Sequence, residues 1–168
     1  MHGEGHKDWV SCIDFHPDGA LLATCGGDST IKLWDILKKK NVHTIIDHAQ
    51  PVWKCQFHNS GDFLLSACMD HTIRLYDLNN NKVRISYRAH VDSVNSINFL
   101  YNSNSFISGS ADKTISLWDM RSNICMSTFY GHYNSVNSVQ CNLTGEILAS
   151  CDSDGIVKLW DLRMTKEL

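Results

Sequence analysis

The sequence is poor in proline, in long apolar runs and in excess positive charge. It has only two Pro in 168 residues, and its 15 Lys plus Arg against 18 Asp plus Glu give a formal net charge of −3. A dedicated nucleic-acid binder is expected to be basic, and a bilayer-spanning helix needs about 20 consecutive apolar residues. Neither feature is present, and the N-terminus lacks the apolar stretch of a signal peptide. We therefore expect a cytoplasmic chain with no nucleic-acid partner and no membrane partner.

Cysteine occurs seven times but never in a Cys-x-x-Cys spacing. An odd number without close pairs argues against a disulfide framework and against a zinc cluster. The sequence therefore predicts a reducing, intracellular setting, no metal site and no cofactor.

What the sequence does contain is an internal repeat of 42 residues. The same period relates three sets of residues without an insertion: His6, His48, His90 and His132; Asp28, Asp70, Asp112 and Asp154; Asp35, Asp77, Asp119 and Asp161. The predicted domain spans residues 1–168, with repeats at about 5–46, 47–88, 89–130 and 131–168. Each reads as four short strands, in the first unit WVSCIDF, ALLATCG, TIKLWD and NVHTII, separated by turn residues. The pattern predicts an all-β fold.

These motifs resemble those of the WD-repeat family. The resemblance covers residues 5–163 and is carried by Gly-His at 5–6 and 131–132 and by Trp-Asp at 34–35, 118–119 and 160–161. It implies a β-propeller segment, with four blades of four antiparallel strands. Only seven residues follow Trp160-Asp161, so we expect the last blade to lack its outer strand. We also expect a segment of a longer protein, whose open blade edges allow self-association.

The resemblance further implies a chain of hydrogen bonds inside each blade. The matching residues are His6, Thr24, Asp28 and Trp34; His48, Ser66, Asp70 and Tyr76; His90, Ser108, Asp112 and Trp118; His132, Ser150, Asp154 and Trp160. A buried indole N–H needs an acceptor, but a phenol places its donor elsewhere, so the second set is expected to be incomplete. Departures from the family pattern are Tyr76 in place of Trp, and Asp47 and Ala89 in place of Gly.

A serine-hydrolase interpretation of the His, Ser and Asp residues fails because the set recurs once per repeat. A catalytic triad needs one nucleophile in one pocket, so we predict no catalytic residue and no enzyme. The repeat register also explains the positions of four cysteines. Cys25, Cys55, Cys141 and Cys151 fall where the other units have small or apolar residues. Free, packed thiols are expected there.

Positions that the resemblance places on the rim of the central channel differ between units. Units one and two carry Trp9, Ser11, Gly27, Pro51, Trp53 and Met69, whereas units three and four carry Ser93, Asn95, Ala111, Ser135, Asn137 and Ser153. Large apolar groups that packing does not require suggest a binding hot spot. The alternative is that Trp9 or Trp53 packs flat against its own blade. The predicted protein-binding set is Trp9, Ser11, Pro51, Trp53, Met69, Ser93, Asn95 and Asn137.

The strand VWKCQF supports this placement of Trp53. Its apolar residues Val52, Cys55 and Phe57 are spaced by three and then two, whereas a regular strand alternates by two. The extra residue predicts a β-bulge that directs Trp53 toward the rim.

Two functions remain open from the sequence. Stretches such as HKDWVSCIDFHPDGALLAT and ILASCDSDGIVKLWD resemble WD-repeat proteins of the axonemal central apparatus in cilia and flagella. That resemblance implies a non-catalytic scaffold of the axoneme, needed for motility, with axonemal or microtubule-associated proteins as partners. The alternative is a regulatory adaptor, because Arg121 and Arg163 in WDMR and WDLR resemble the motif that docks substrate receptors on a cullin-type ubiquitin ligase.

Overall fold

The computed structural model describes residues 5–101 and 103–168, which form four antiparallel sheets of four strands each. Blade 1 contains β1 (Val10–Phe15), β2 (Leu21–Gly26), β3 (Ile31–Asp35) and β4 (Lys40–Ile45). Blade 2 contains β5 (Val52–Phe57), β6 (Phe63–Cys68), β7 (Ile73–Asp77) and β8 (Lys82–Tyr87). Blade 3 contains β9 (Val94–Phe99), β10 (Ser105–Ser110), β11 (Ile115–Asp119) and β12 (Cys125–Phe129). Blade 4 contains β13 (Val136–Cys141), β14 (Ile147–Asp152), β15 (Val157–Asp161) and β16 (Lys166–Glu167). The predicted all-β architecture is confirmed.

The prediction that blade 4 lacks its outer strand is wrong, although that strand is only two residues long. Lys166 and Glu167 pair with Asp161 and Trp160. The chain can return because Asp161 Oδ1 accepts the N–H groups of Arg163 and Met164, at 2.8 and 3.1 Å. Thr165 then adopts φ +50°, as Lys39 and Asn81 do in the same turn of blades 1 and 2. Turn chemistry, rather than apolar patterning, forms this strand.

The apolar core lies between blades rather than inside them. Three clusters of buried side chains each join two consecutive blades; for example, Leu33 shares a cluster with Phe57, and Leu75 shares one with Phe99. All seven cysteines are free, and Cys25, Cys55 and Cys68 are buried in this core. Each blade therefore depends on its neighbours for most of its apolar burial. No helix within the described residues is long and apolar enough to cross a membrane.

Candidate functional site

A β-bulge interrupts the innermost strand of every blade at the same register position. In blade 2, Val52 pairs with Cys68 and Lys54 pairs with Ala67, so Trp53 is the extra residue. The bulge predicted from the spacing of Val52, Cys55 and Phe57 is thus confirmed. The same shift occurs in the other three blades, where the extra residues are Ser11, Asn95 and Asn137. A bulge turns its residue away from the regular pleat.

These four bulge residues meet around one cavity. It has a volume of about 510 Å³ and is lined by Trp9, Ser11, Trp53, Asn95 and Asn137. Each blade therefore contributes one bulge residue, and blade 1 contributes a second residue, Trp9. None of the five lining side chains is charged, so apolar contact and hydrogen bonding are the interactions that the cavity can offer a ligand.

The blade 1 and blade 2 side of the cavity consists of two stacked indoles. The rings of Trp9 and Trp53 have centroids 5.1 Å apart and planes inclined by 27°. Trp53 Nε1 donates to Ser93 Oγ at 2.9 Å, which holds that ring against blade 3. Trp9 remains 44% exposed. The stack presents a preordered aromatic surface, and such surfaces are typical of binding hot spots.

Trp9 also rests on its own blade, as the alternative interpretation anticipates. A Cβ atom added to Gly27 would lie 2.6 Å from Nε1 of the Trp9 ring, so only glycine leaves room for the indole. Packing on Gly27 and exposure to the cavity are therefore compatible, because the ring covers the glycine on one side and keeps almost half of its surface open.

The blade 3 and blade 4 side of the cavity is polar and bonded to itself. Asn95 Nδ2 donates to Ser135 Oγ at 3.0 Å and to the Val136 carbonyl at 2.9 Å. Ser93 Oγ donates to Asn95 Oδ1 at 3.0 Å. Asn137 Oδ1 accepts from Ser153 Oγ at 3.1 Å. Asn95 therefore ties blade 3 to blade 4, and the bonding capacity of these side chains is partly used within the protein.

Pro51 and Met69, also predicted to bind protein, lie beside each other but do not line the cavity. The Met69 N–H donates to the Pro51 carbonyl at 2.9 Å, a bond that recurs in every blade, for example from Gly27 to Trp9. Met69 is 43% exposed. The structure therefore separates the predicted set into three parts: a cavity lined by Trp9, Ser11, Trp53, Asn95 and Asn137, an apolar rim pair formed by Pro51 and Met69, and Ser93, which does not line the cavity but bonds Trp53 and Asn95.

Hydrogen-bond chains stabilise the blades that carry the cavity. In blade 3, Trp118 Nε1 donates to Ser108 Oγ at 2.8 Å, and His90 contacts Ser108 Oγ through Nε2 at 2.7 Å and Asp112 through Nδ1 at 2.8 Å. All groups are satisfied when the serine hydroxyl donates to Nε2 and Nδ1–H donates to the carboxylate. Blade 1 repeats this chain with His6, Thr24, Asp28 and Trp34.

The prediction that Asp154 completes the hydrogen-bond chain of blade 4 is wrong, because His132 Nδ1 bonds Asp152 instead, at 2.8 Å. Asp152 stands where the other blades have Gly26, Cys68 and Ser110. Ile156 replaces the threonine whose hydroxyl binds the turn aspartate in blades 1 to 3. Asp154 accepts from Asn134 Nδ2 at 2.8 Å. The sequence analysis did not predict the role of Asp152, although the replacement of threonine by Ile156 could have indicated it.

Blade 2 has an incomplete chain, as expected from Tyr76. His48 bonds Ser66 at 2.7 Å and Asp70 at 3.1 Å. The Tyr76 hydroxyl, however, is buried without a hydrogen-bond partner. A cavity of about 220 Å³ lies beside it, lined among others by Tyr76 and Asp47.

The carboxylates in these chains are held in the charged form. Burial raises the pKa of Asp28, but hydrogen bonds from His6, the Lys7 N–H and Thr30 outweigh it and lower that pKa to about 2. Burial also raises the pKa of Asp70 and of Asp112, but hydrogen bonds from a histidine and a threonine outweigh this effect and lower both pKa values. Burial lowers the pKa of His48, which favours its neutral form.

His48, Cys68 and Asp70 bring donor atoms within 4.8 Å of one another, but the group does not suit a metal ion. Both ring nitrogens of His48 are already bonded to Ser66 and Asp70. The guanidinium of Arg74 also lies 3.2 Å from Asp70, and this positive charge opposes a cation. The group therefore belongs to the blade 2 hydrogen-bond chain.

The two arginines considered for adaptor docking differ in their surroundings. Arg163 forms an ion pair with Glu146 and is 69% exposed. Arg121 is exposed, and its backbone N–H donates to Asp119 Oδ1 at 2.9 Å.

The four-blade array with a shared central cavity defines the class: a segment of a β-propeller. The chain matches the family model "WD domain, G-beta repeat" over residues 2–35, 39–77, 81–119 and 123–161. It therefore belongs to the WD-repeat family, whose repeats serve as protein-interaction scaffolds and are generally non-catalytic.

Individual relatives match only part of the chain. It is 44% identical over 46 residues to the small ribosomal subunit protein RACK1 of Candida albicans, covering 27% of this chain and 14% of that protein. It is 44% identical over 52 residues to the target of rapamycin complex subunit wat1 of Schizosaccharomyces pombe, covering 31% and 16%. It is 34% identical over 53 residues to lissencephaly-1 homolog 1 of Paramecium tetraurelia, covering 31% and 13%. Each match thus spans a small part of its relative.

Proposed function

We propose that the protein is an interaction scaffold of the ciliary or flagellar axoneme that binds a partner protein through the cavity lined by Trp9, Ser11, Trp53, Asn95 and Asn137. The stacked, partly exposed Trp9–Trp53 pair is the observation that carries the binding site. The axonemal setting is supported by the sequence resemblance to central-apparatus WD-repeat proteins.

The chemistry of the cavity indicates what the partner presents. Because the lining side chains are uncharged and two of them are indoles, the partner segment supplies an apolar or planar side chain against Trp9 and a hydrogen-bonding group toward the asparagines. Such contacts depend little on ionic strength, since salt screens charges but not apolar burial.

A ubiquitin-ligase adaptor is the weaker candidate because it rests on Arg121 and Arg163 alone. Arg163 is engaged with Glu146, and no second feature of the described chain points to docking on a ligase.

The test uses the tagged chain in ciliated cells, with the fraction retained in detergent-extracted axonemes as the readout. The wild type and Tyr133→Ala, which removes an exposed aromatic side chain outside the cavity, are expected to be retained. The double variant Trp9→Ala and Trp53→Ala is expected to lose retention while keeping its β circular-dichroism signal. Retention of the double variant would refute the site, and a diffuse wild type would refute the axonemal setting.

A further inference from the structure

Blade 1 carries a pair of facing cysteines that the other blades do not have. Cys12 on β1 and Cys25 on β2 lie directly opposite each other in the strand pairing. The equivalent pairs of the other blades contain at most one cysteine: Lys54 with Ala67, Ser96 with Gly109, and Ser138 with Cys151. The same backbone thus accommodates other residues at both positions, so the packing of the repeat does not require two thiols here.

The strand pairing gives Cys12 and Cys25 the separation that a disulfide needs. Directly opposite residues of an antiparallel pair have Cα atoms about 4.5–5.5 Å apart and side chains on the same face. A disulfide joins residues whose Cα atoms are about 4.4–6.8 Å apart. The two cysteines therefore meet the Cα requirement for a disulfide in the strand arrangement that the blade already has.

The pair lies inside the blade array, on the side of blade 1 that packs on blade 2. Cys25 is buried in the apolar cluster that joins these two blades, and Cys12 Sγ lies 3.6 Å from the Cys55 carbonyl oxygen of blade 2. Cys12 itself is only half-buried, so a small solute reaches its sulfur more easily than that of Cys25. The binding cavity is adjacent, because its lining residue Ser11 contacts Cys25 Sγ through Oγ at 3.4 Å.

The surroundings of Cys12 favour the thiolate, which is the nucleophilic form of cysteine. Hydrogen bonds from the thiols of Cys25 and Cys55 outweigh burial and lower the pKa of Cys12, and the positive charge of Lys54 acts in the same direction. The bond to Cys12 raises the pKa of Cys25, which keeps this second thiol protonated. A solvent-accessible thiolate next to a second thiol is typical of a redox-sensing cysteine and its resolving partner.

We propose that Cys12 is a site of peroxide oxidation and that Cys25 resolves the oxidised form as a disulfide within blade 1. The Cys12 thiolate attacks one oxygen of hydrogen peroxide; the O–O bond breaks, a sulfenic acid forms, and the released hydroxide takes up a proton and leaves as water. The Cys25 sulfur then attacks the sulfenic sulfur, the S–O bond breaks, and the Cys25 proton leaves with that oxygen as a second water. The two thiols together lose two electrons and two protons, and one peroxide becomes two waters. A thiol reductant reverses the disulfide by exchange.

The test is peroxide treatment of the folded 168-residue chain, followed by alkylation of the remaining thiols, tryptic digestion and mass spectrometry. Both cysteines fall in one tryptic peptide, residues 8–32, whereas Cys55 falls in residues 55–74. Peptide 8–32 is expected to lose two hydrogen atoms and to escape alkylation, and dithiothreitol is expected to reverse both changes. Cys151, also half-buried but opposite Ser138, is expected to remain open to alkylation at the same peroxide concentration.

Three results would overturn the proposal. Two alkylated thiols in peptide 8–32, at a peroxide concentration that oxidises Cys151, would show that Cys12 is not the reactive cysteine. A cross-link between peptides 8–32 and 55–74 would assign the resolving thiol to Cys55 instead. Conversion of Cys12 to sulfinic acid without a disulfide would show that no neighbouring thiol resolves it.

Variants that copy residues of the other blades separate the two roles, with circular dichroism as the check that each keeps the wild-type β signal. Cys12→Ser reproduces the serine–cysteine pair of blade 4 and is expected to leave Cys25 fully alkylated after peroxide. Cys25→Ala copies Ala67 of blade 2 and is expected to leave a sulfenic acid on Cys12, which dimedone labels. The matched control Cys151→Ser is expected to form the disulfide as the wild type does. Oxidation of Cys25 in Cys12→Ser, or no dimedone label in Cys25→Ala, would contradict the assignment.

Discussion

Blades 2 and 3 share one backbone plan but differ at the residues that matter for stability and for binding. Blade 3 has a complete hydrogen-bond chain from Trp118 through Ser108 and His90 to Asp112, and a polar bulge residue, Asn95. Blade 2 has an unpartnered Tyr76 hydroxyl and an aromatic bulge residue, Trp53. The comparison teaches that the repeated residues determine the backbone scaffold. A departure from the repeat identifies either a less stable blade, as at Tyr76, or a candidate binding surface, as at Trp53.

The largest difference between the two blades is expected when the central serine is removed. Ser108→Ala leaves two buried groups without partners, the Trp118 indole N–H and His90 Nε2, and should lower the free energy of unfolding by about 2–4 kcal/mol. Ser66→Ala leaves only His48 Nε2 unpaired and should cost about 1–3 kcal/mol. Urea unfolding at one protein concentration measures both. Equal losses would mean that the indole bond contributes nothing.

A smaller difference is expected at the aromatic position itself. Trp118→Phe removes the donor to Ser108 and should cost about 1–3 kcal/mol. Tyr76→Phe removes a hydroxyl that has no partner, so its effect should lie within about 0.5 kcal/mol of zero or be stabilising. A large loss from Tyr76→Phe would show that the hydroxyl is bonded in solution.

Acid should act gradually and in the same direction on blades 1, 2 and 3. The folded-state pKa values of Asp28, Asp70 and Asp112 are lowered, so the stability they contribute is present above the unfolded value of about 3.9 and is lost as pH falls toward about 2. His48 in blade 2 has a lowered pKa, so loss there begins earlier, below about 6.5.

Thermal midpoints measured from pH 7 to pH 3 test this order. The wild type is expected to lose stability in two stages, and His48→Gln should weaken the first stage while leaving the second. A midpoint that rises as the pH falls below about 4 would contradict the assignment of charged carboxylates.

The sequence was most informative where packing repeats. The 42-residue register predicted the four blades, and the spacing of Val52, Cys55 and Phe57 predicted the bulge at Trp53, because buried alternation is a direct consequence of strand geometry. Tyr76 was correctly predicted to break its hydrogen-bond chain, since the phenol cannot place a donor where the indole does.

The sequence was less informative where several polar groups compete. Asp152 and Asp154 both lie near the turn of blade 4, and the only sequence sign that His132 bonds Asp152 is the replacement of threonine by Ile156. Strand β16 depends on the Asp161 cap and on the positive φ of Thr165 rather than on an apolar pattern. The stacking of Trp9 on Trp53 depends on how one blade is rotated against the next, which no single repeat encodes. The binding role of these residues stays a prediction.

The central claim is that the shared bulge position serves binding in blade 2 and cohesion in blade 3. It is tested most directly by measuring, for Trp53→Ala and Asn95→Ala, both the thermal midpoint and the axonemal protein captured per folded bait. Trp53→Ala is expected to reduce capture about tenfold or more, as for a hot-spot residue that contributes at least about 1.4 kcal/mol to binding. Its thermal midpoint is expected to fall less than that of Asn95→Ala. Asn95→Ala is expected to lower the midpoint more, since it removes the side chain that ties blade 3 to blade 4, and to reduce capture less than Trp53→Ala does. Unchanged capture by Trp53→Ala, or equal losses of capture in both variants, would contradict the account.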